Sequence, residues 1–172
     1  YKIFACTGIL FNHESPLRGE EFVTRKITLG LVKILNNDLK FLELGNLNAK
    51  RDWGYAKEYV ELMWKMLQKN KPDDYLIATG SQSSIKNFID EAIKFLNINA
   101  KWVGNGLNMR LVRSSDKKII VKVNPKFFRP LEVNTLHGNP AKAKRDLKWK
   151  PKTDLKKLVK IMLTEEMKYY NK

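Results

Sequence analysis

An apolar run near the start of the chain constrains the fold more than any other feature. Residues 2–11 read KIFACTGILF, without a regular alternation of apolar and polar positions. Such a run is typical of a strand that is covered on both faces, as the strands of parallel sheets are. A second run of this kind, YLIAT, occupies residues 75–79. The two runs therefore predict strands of a buried parallel sheet.

Segments with helical periodicity alternate with these strands. Apolar residues recur at helical spacing over residues 20–36 and 55–69, which predicts two helices. A third helix is predicted to begin at a cap, Ser83 or Ser84, and to end at about residue 97. A short strand is predicted at 40–44, before a polar loop at 45–54. Because strand and helix alternate in the first half of the chain, the class prediction is α/β.

The second half of the chain is predicted to be mixed. Residues 101–123 have the pattern of short strands separated by turns. Asn139-Pro140 can start a short helix through Leu147, with the proline in its first turn. Asp154 is a candidate cap for a closing helix.

The charge balance is strongly basic but does not by itself identify a partner. The chain has 33 Lys and Arg against 18 Asp and Glu, a net charge of +15, and only seven of the cations are arginine. Surfaces that clamp phosphates or read bases favour arginine, whose planar fork donates bidentately. We therefore interpret the excess as a solvated lysine surface rather than a nucleic-acid footprint. A non-enzymatic basic module that binds nucleotides or RNA is the alternative.

Several kinds of site are excluded by what the sequence lacks. One cysteine and two histidines provide neither an internal disulfide framework nor a tetrahedral zinc set. The sequence also contains no glycine-rich phosphate loop in a strand–helix context, no Tyr-x-x-x-Lys and no nucleophile elbow. Since no apolar window or secretory signal is present, we expect no membrane segment and a cytoplasmic location.

Polar residues directly follow the first predicted strand. The segment Asn12-His13-Glu14-Ser15-Pro16-Leu17-Arg18 is expected to be a loop. Ligands of open α/β sheets lie beyond the carboxyl ends of strands, where Arg18 can pair with a phosphate and His13 can donate or accept. These polar groups can equally well satisfy only the hydrogen bonds of the loop itself. The residues alone leave both interpretations open.

Further cations lie in separate segments. Lys26 follows Arg25 near a helix start, where anions are favoured, although basic pairs also occur on exposed faces. Arg51 precedes a carboxylate and can form an ion pair or face a pocket. Arg129 lies three residues before Glu132, close enough for both to contact one ligand. Two arginines from distant segments would suit a pyrophosphate.

Taken together, these segments resemble the GDP-mannose 4,6-dehydratase family of the extended short-chain dehydrogenase/reductase superfamily. The matching stretches are FACTGILFNHESPLRGEEFVTRKIT, LGNLNAKRDWGYAKEYVELMW, PDDYLIATG, FFRPLEV and NPAKAKRDLKWKP. They follow the family's order over residues 4–151, and the sets NHESP…RG, AKRDWG and FRPxEV are specific to it. These strings argue against a dehydratase for another nucleotide. Leu17 departs from the family, which often has a second basic residue there, and residues 98–118 match poorly.

The resemblance implies that residues 1–172 are the C-terminal half of such an enzyme. Residues of about 1–19 and 50–80 would complete a Rossmann-type parallel sheet, and about 20–49 and 81–172 would form a small mixed α/β substrate-binding lobe. The missing N-terminal half of the same enzyme would supply the catalytic Thr, Glu and Tyr-x-x-x-Lys, so no catalytic residue is expected in this chain. The full-length protein would form a dimer or tetramer.

The implied activity is that of a lyase that uses NADP and converts GDP-mannose to GDP-4-keto-6-deoxymannose with loss of water. Without its N-terminal half the chain would be inert. The resemblance assigns His13 and Arg18 to NADP, and Asn12, Lys26, Arg51, Arg129 and Glu132 to GDP-mannose. Within that second group, Arg51 and Arg129 would clamp the pyrophosphate and Glu132 would accept from a ribose hydroxyl.

Overall fold

The structure, a computed structural model, describes residues 1–128, 133 and 135–170. Its long helices fall where apolar residues recur at helical spacing. Within the described residues, the α-helices are α1 (Val23–Leu35), α2 (Ala56–Leu67), α3 (Ile85–Phe95), α4 (Ala141–Leu147) and α5 (Leu155–Tyr170). None of them is long and apolar enough to span a bilayer.

The strands of the described residues form three short pairs, two parallel and one antiparallel, and one larger mixed sheet. In chain order they are β1 (Gly8–Leu10), β2 (Asn12–Glu14), β3 (Leu42–Leu44), β4 (Lys50–Arg51), β5 (Trp53–Tyr55), β6 (Tyr75–Ile77), β7 (Ser83–Ser84), β8 (Ala100–Val103), β9 (Arg110–Arg113) and β10 (Ile119–Val123). β1 is parallel to β6 and β2 to β5, whereas β4 is antiparallel to β7. The four-stranded sheet has the order β3-β10-β9-β8. The predicted α/β class is confirmed.

The larger apolar core lies between the four-stranded sheet and three helices. α5 packs against both α1 and α3. Their inward faces are completely buried, as at Leu31 of α1, Phe88 of α3 and Leu158 of α5, and meet Ile120 of β10. The amphipathic periodicity of these helices therefore corresponds to a real core face.

A second apolar cluster lies between α2, α4 and β6. Tyr59 and Leu62 of α2 are fully buried against Ile77 of β6, and Leu147 and Trp149 cover them from α4 and the segment that follows it. The division of the chain into a Rossmann part and a substrate-binding lobe stays a prediction.

The first predicted strand and loop are wrong in their extent. Only residues 8–10 of the run 2–11 form a strand, because the pairing between β1 and β6 begins at Gly8 and Tyr75. The polar residues 12–14, predicted as loop, form β2, since they pair with β5. The segment 45–54 likewise contains β4 and the start of β5 rather than only loop. These residues form strands because they pair with distant segments, and local composition does not reveal such pairing.

Three predicted helix starts are confirmed by their hydrogen bonds. The Ser84 hydroxyl accepts from the Asn87 amide at 3.0 Å. The Asp154 carboxylate accepts from the Lys157 amide at 2.8 Å. Asn139 accepts from the Ala141 amide at 3.0 Å, just before α4. Each of these side chains accepts from a backbone donor that the first turn leaves without a partner. Pro140, predicted in the first turn of α4, is instead the N-cap that precedes it.

Candidate functional site

The parallel pair of β2 and β5 fixes His13 beside a buried tyrosine. His13 lies opposite Gly54, and its ring centroid is 5.4 Å from that of Tyr59. The Nδ1 atom of His13 lies 2.9 Å from the carbonyl oxygen of Phe11, which can only accept, so Nδ1 donates there. The backbone of β2 and this hydrogen bond together orient the imidazole.

Gly54 allows this close packing because it has no side chain. A Cβ atom at position 54 would lie 2.2 Å from Cε2 of Tyr59, far inside contact distance. Burial, with the nearby carboxylates of Asp52 and Glu14, raises the pKa of Tyr59 well above its ordinary value. The hydroxyl therefore stays protonated at physiological pH.

Glu14, at the end of β2, anchors the start of the following loop. Its side chain is almost completely buried and accepts from the Thr24 hydroxyl at 2.5 Å. The Nε atom of Arg18 lies 3.5 Å from the same carboxylate, and the guanidinium carbon lies 3.5 Å from the ring centroid of Phe22. Arg18 is thus held between an acidic group and an aromatic face.

A cavity of about 490 Å³ lies beyond β2, β3 and β4, and we call it the Lys26 cavity. Its lining includes side chains from segments that are far apart in sequence. Among them are the polar and aromatic side chains of Asn12, Glu21, Lys26, Arg51, Lys126 and Phe127. Among the described lining residues, three are cations and one is a carboxylate. This excess of positive charge favours an anionic ligand.

Lys26 lies in a partly dehydrated place within this cavity. Its Nζ atom is 4.2 Å from the ring centroid of Phe127. Burial lowers the pKa of Lys26, and the charge of Glu43 opposes that shift. An anion bound beside Lys26 would stabilise the ammonium form.

Arg51, in β4, is hydrogen-bonded to Val133. Its Nη1 atom donates to the carbonyl oxygens of Lys50 at 2.8 Å and Val133 at 2.6 Å. The neighbouring carboxylate, Asp52, is fully buried and holds the turn after β6. It accepts from the Thr79 amide at 2.8 Å, the Thr79 hydroxyl at 2.6 Å and the Gly80 amide at 2.9 Å.

A second cavity, of about 350 Å³, adjoins the first, and we call it the His13 cavity. It is lined by Asn12, His13 and Arg18 together with Leu10, Phe11 and Leu136. Asn12 lines both cavities, so they meet at the start of β2. The structure thus provides two adjoining hollows, one of which is rich in cations.

Comparison with known families agrees with this geometry. A family model described as GDP-mannose 4,6 dehydratase matches residues 1–162. The chain belongs to the GDP-mannose 4,6-dehydratase family. The expected family is therefore confirmed.

Curated members of the GDP-mannose 4,6-dehydratase family are similar over almost the whole chain. GDP-mannose 4,6 dehydratase 2 of Caenorhabditis elegans is 52% identical over 97% of this chain and 44% of its own length. The Drosophila melanogaster protein named GDP-mannose 4,6 dehydratase is 46% identical over 100% of this chain and 44% of its own length. The Vibrio cholerae GDP-mannose 4,6-dehydratase is 47% identical over 97% of this chain and 48% of its own length. The chain spans about half the length of the curated relatives it matches.

Solved structures share the fold of this chain at low identity. RMD from Pseudomonas aeruginosa, solved with NADPH, superposes with a TM-score of 0.77 at 15% identity, over 95% of this chain and 48% of that chain. A dTDP-glucose 4,6-dehydratase from Bacillus anthracis, solved with NAD, superposes with a TM-score of 0.68 at 15% identity, over 96% of this chain and 44% of that chain. These likenesses show a Rossmann-type fold for this family member.

The structure places the predicted site residues that it describes at the two cavities, with Asn12 at both, and their roles stay predictions. Asn12, Lys26 and Arg51, assigned to GDP-mannose, line the Lys26 cavity. His13 and Arg18, assigned to NADP, line the His13 cavity. Arg129 and Glu132 lie outside the described residues.

The residues of the Lys26 cavity that sequence reasoning did not assign to a site include Glu21, Lys126 and Phe127. Phe127 is the first residue of the family segment FFRPLEV, which therefore carried a usable signal. Lys126 had no distinguishing signal, because it is one of many lysines in a basic chain. Only the fold brings Lys126 to the same cavity as Lys26.

Proposed function

We propose that the chain forms the GDP-mannose site and part of the NADP site of a GDP-mannose 4,6-dehydratase. Such a lyase converts GDP-mannose to GDP-4-keto-6-deoxymannose with loss of water. The other half of the same enzyme would supply the catalytic Thr, Glu and Tyr-x-x-x-Lys. The complete enzyme would be a cytoplasmic dimer or tetramer.

One observation supports the substrate assignment most strongly. Lys26, Arg51 and Lys126, from three separate segments, line one cavity of about 490 Å³. Two linked phosphates carry two negative charges, and three cations beside one carboxylate match that charge. The exposed ring of Phe127 lies at the same cavity and offers an apolar face to a sugar or a base. A nucleotide sugar therefore suits both the charge of the cavity and the aromatic side chain at its lining.

The His13 cavity fits part of a nicotinamide dinucleotide. The Nε atom of Arg18 is buried and has no hydrogen-bond partner among the described residues, and its nearest carboxylate oxygen, on Glu14, is 3.5 Å away. Glu14 and the Phe22 ring hold the Arg18 guanidinium at this cavity, where its charge suits a phosphate of the cofactor. At about 350 Å³ the cavity holds one portion of a dinucleotide rather than the whole. NADP, when bound, supplies the reversible two-electron oxidation that sugar dehydration requires.

The residues of this chain would act by positioning rather than by proton transfer. Arg51 and Lys26 would neutralise the diphosphate, with Arg129 as a further clamp, and Asn12 would contact the sugar diphosphate. His13 would lie near the nicotinamide end of the cofactor, and Glu132 would accept from a ribose hydroxyl. Fixing both molecules side by side removes much of the entropic part of the barrier.

Calorimetric titration of the complete natural polypeptide that carries this sequence tests the substrate assignment. We expect GDP-mannose and GDP to bind, and GMP, which lacks the pyrophosphate, to bind more weakly. UDP- and dTDP-sugars should compete poorly. Equal binding of all nucleotides, or salt-sensitive binding of any polyanion, would instead favour a basic nucleotide- or RNA-binding module.

A further inference from the structure

The loop between β2 and α1 borders both cavities. Its residues 15–22 include Arg18, which lines the His13 cavity, and Glu21 and Phe22, which line the Lys26 cavity. The amide of Arg18 donates to the carbonyl oxygen of Ser15 at 3.0 Å and closes a turn at the start of the loop. The conformation of this loop therefore determines the positions of side chains that line both the His13 cavity and the Lys26 cavity.

Arg25, in the first turn of α1, ties this loop to the last described helix. Its Nη1 atom donates to the carbonyl oxygen of Arg18 at 2.7 Å. Its Nε atom donates to Oε1 of Glu166 in α5 at 2.6 Å. Because the donors of a guanidinium point in fixed directions of one plane, a single arginine can hold both acceptors at once.

Glu166 has no contact with either cavity, yet its side chain is only 3% exposed. A buried carboxylate is costly unless a cation and hydrogen bonds compensate it. Arg25 provides that compensation, and its second donor reaches the loop rather than another part of α5. The buried charge thus fixes the guanidinium that holds the Arg18 carbonyl.

We propose that Arg25 and Glu166 are positioning residues for the bound cofactor. Glu166 fixes the guanidinium of Arg25, and Arg25 holds the Arg18 carbonyl so that residues 15–22 present the Arg18 side chain to the His13 cavity. This inference rests on the proposed function, in which Arg18 binds NADP.

Two variants separate positioning from general stability. In Arg25→Lys the single ammonium can pair with Glu166 but cannot also reach the Arg18 carbonyl in the same geometry. In Glu166→Gln the amide oxygen can still accept from Arg25, but the charge that fixes the guanidinium is lost. Glu165→Gln is the matched control, since Glu165 is the adjacent residue of α5 and forms an exposed pair with Lys168 at 2.6 Å.

The experiment measures the NADPH dissociation constant, the melting temperature and amide hydrogen exchange over residues 15–22, in the complete natural polypeptide. We expect Arg25→Lys to raise the NADPH dissociation constant about tenfold, the value of one charge-assisted contact. Exchange over residues 15–22 should be at least about tenfold faster, because the loop opens locally. Glu166→Gln should also raise the NADPH dissociation constant and the exchange rate over residues 15–22. Glu165→Gln should match the wild type in both measurements.

The outcomes are distinguishable from failure of the proposed function. A lower melting temperature with unchanged NADPH affinity and unchanged exchange in Arg25→Lys would overturn the positioning role. If the wild-type protein binds no NADPH, the cofactor assignment of Arg18 fails, and the exchange measurement still decides whether Arg25 holds the loop. Should Arg25→Lys not fold, Glu166→Gln decides by the same two readouts.

Discussion

The guanidinium of Arg51 donates from Nη1 to the carbonyl oxygen of Val133, 82 residues further along the chain, at 2.6 Å. This contact brings β4 together with Val133, the last residue of the family motif FFRPLEV. Arg51 lines the Lys26 cavity together with the cations Lys26 and Lys126. The arrangement leads to specific expectations for binding.

Arg51→Lys should weaken GDP-mannose binding about tenfold to a hundredfold. Lysine keeps the charge but cannot hold the Val133 carbonyl and a phosphate oxygen from one planar fork, and charge-assisted hydrogen bonds contribute about 1.5–3 kcal/mol each. Titration calorimetry with GDP-mannose measures the effect. Arg145→Lys is the control, because Arg145 pairs with Asp146 on the surface of α4, away from the cavity. Equal affinities of Arg51→Lys and the wild type would contradict the clamp.

Lys26→Met should abolish most GDP-mannose binding without lowering the stability of the free protein. Burial lowers the pKa of Lys26, so its ammonium form costs folding free energy at neutral pH. The methionine variant should therefore be the more stable protein at neutral pH. This difference in the free energy of unfolding should shrink as pH rises from the lowered pKa of Lys26 towards the ordinary value for lysine. Urea unfolding between pH 7 and pH 10 checks this trend. A variant that is clearly less stable at pH 7 would show that Lys26 stabilises the fold.

GDP-mannose affinity should fall at alkaline pH in the wild type. A bound diphosphate favours the ammonium form of Lys26, so deprotonation above its lowered pKa removes one attractive charge. The same titration of Lys26→Met should lack this step. An alkaline step of equal size in both proteins would assign the titration to another group.

Asp52→Ala should destabilise the fold by about 3 kcal/mol. Asp52 is fully buried, and its loss leaves the backbone amides of Thr79 and Gly80 without their acceptor and removes one of two acceptors near the Thr79 hydroxyl. Asp73→Ala is the control, since Asp73 forms an exposed pair with Lys142 that water screens, so its loss should change stability far less. Chemical unfolding compares the two. A loss of similar size in both would show that the turn after β6 does not depend on Asp52.

Gly54→Ala should destabilise the protein by about 2 kcal/mol and also weaken NADPH binding. The added Cβ would lie 2.2 Å from Tyr59, and relief of that overlap must move β5 or the neighbouring His13. Gly106→Ala separates strain from overlap, because no atom lies within 4 Å of its Cβ and only its φ of +55° is unfavourable. It should cost about 1 kcal/mol and leave NADPH binding unchanged.

The helices were predictable because their apolar periodicity survives in the core. The spacing of Leu31, Phe88 and Leu158 with their neighbours marked α1, α3 and α5, and Ser84 and Asp154 marked two of their starts. The strand β2 was not predictable, because its polar sequence Asn12–Glu14 pairs with β5 only through the tertiary fold. Local propensity carries no information about such a partner.

The candidate site was predictable only where a family motif contained it. His13, Arg18 and Lys26 belong to one long matching segment, and Arg51 belongs to the next. The Lys26 cavity also needs Lys126, which stands just before the motif FFRPLEV and resembles any surface lysine. The roles of Arg25 and Glu166 depend on a contact across 141 residues, which no local pattern encodes.

A crystal structure of the complete natural polypeptide with GDP-mannose tests the central claim most directly. We predict that the diphosphate lies in the Lys26 cavity, within about 3 Å of Lys26 Nζ and a guanidinium nitrogen of Arg51, with Arg129 at its other side. A diphosphate bound in another part of the molecule, or one in that cavity without contact to Lys26 and Arg51, would contradict the account.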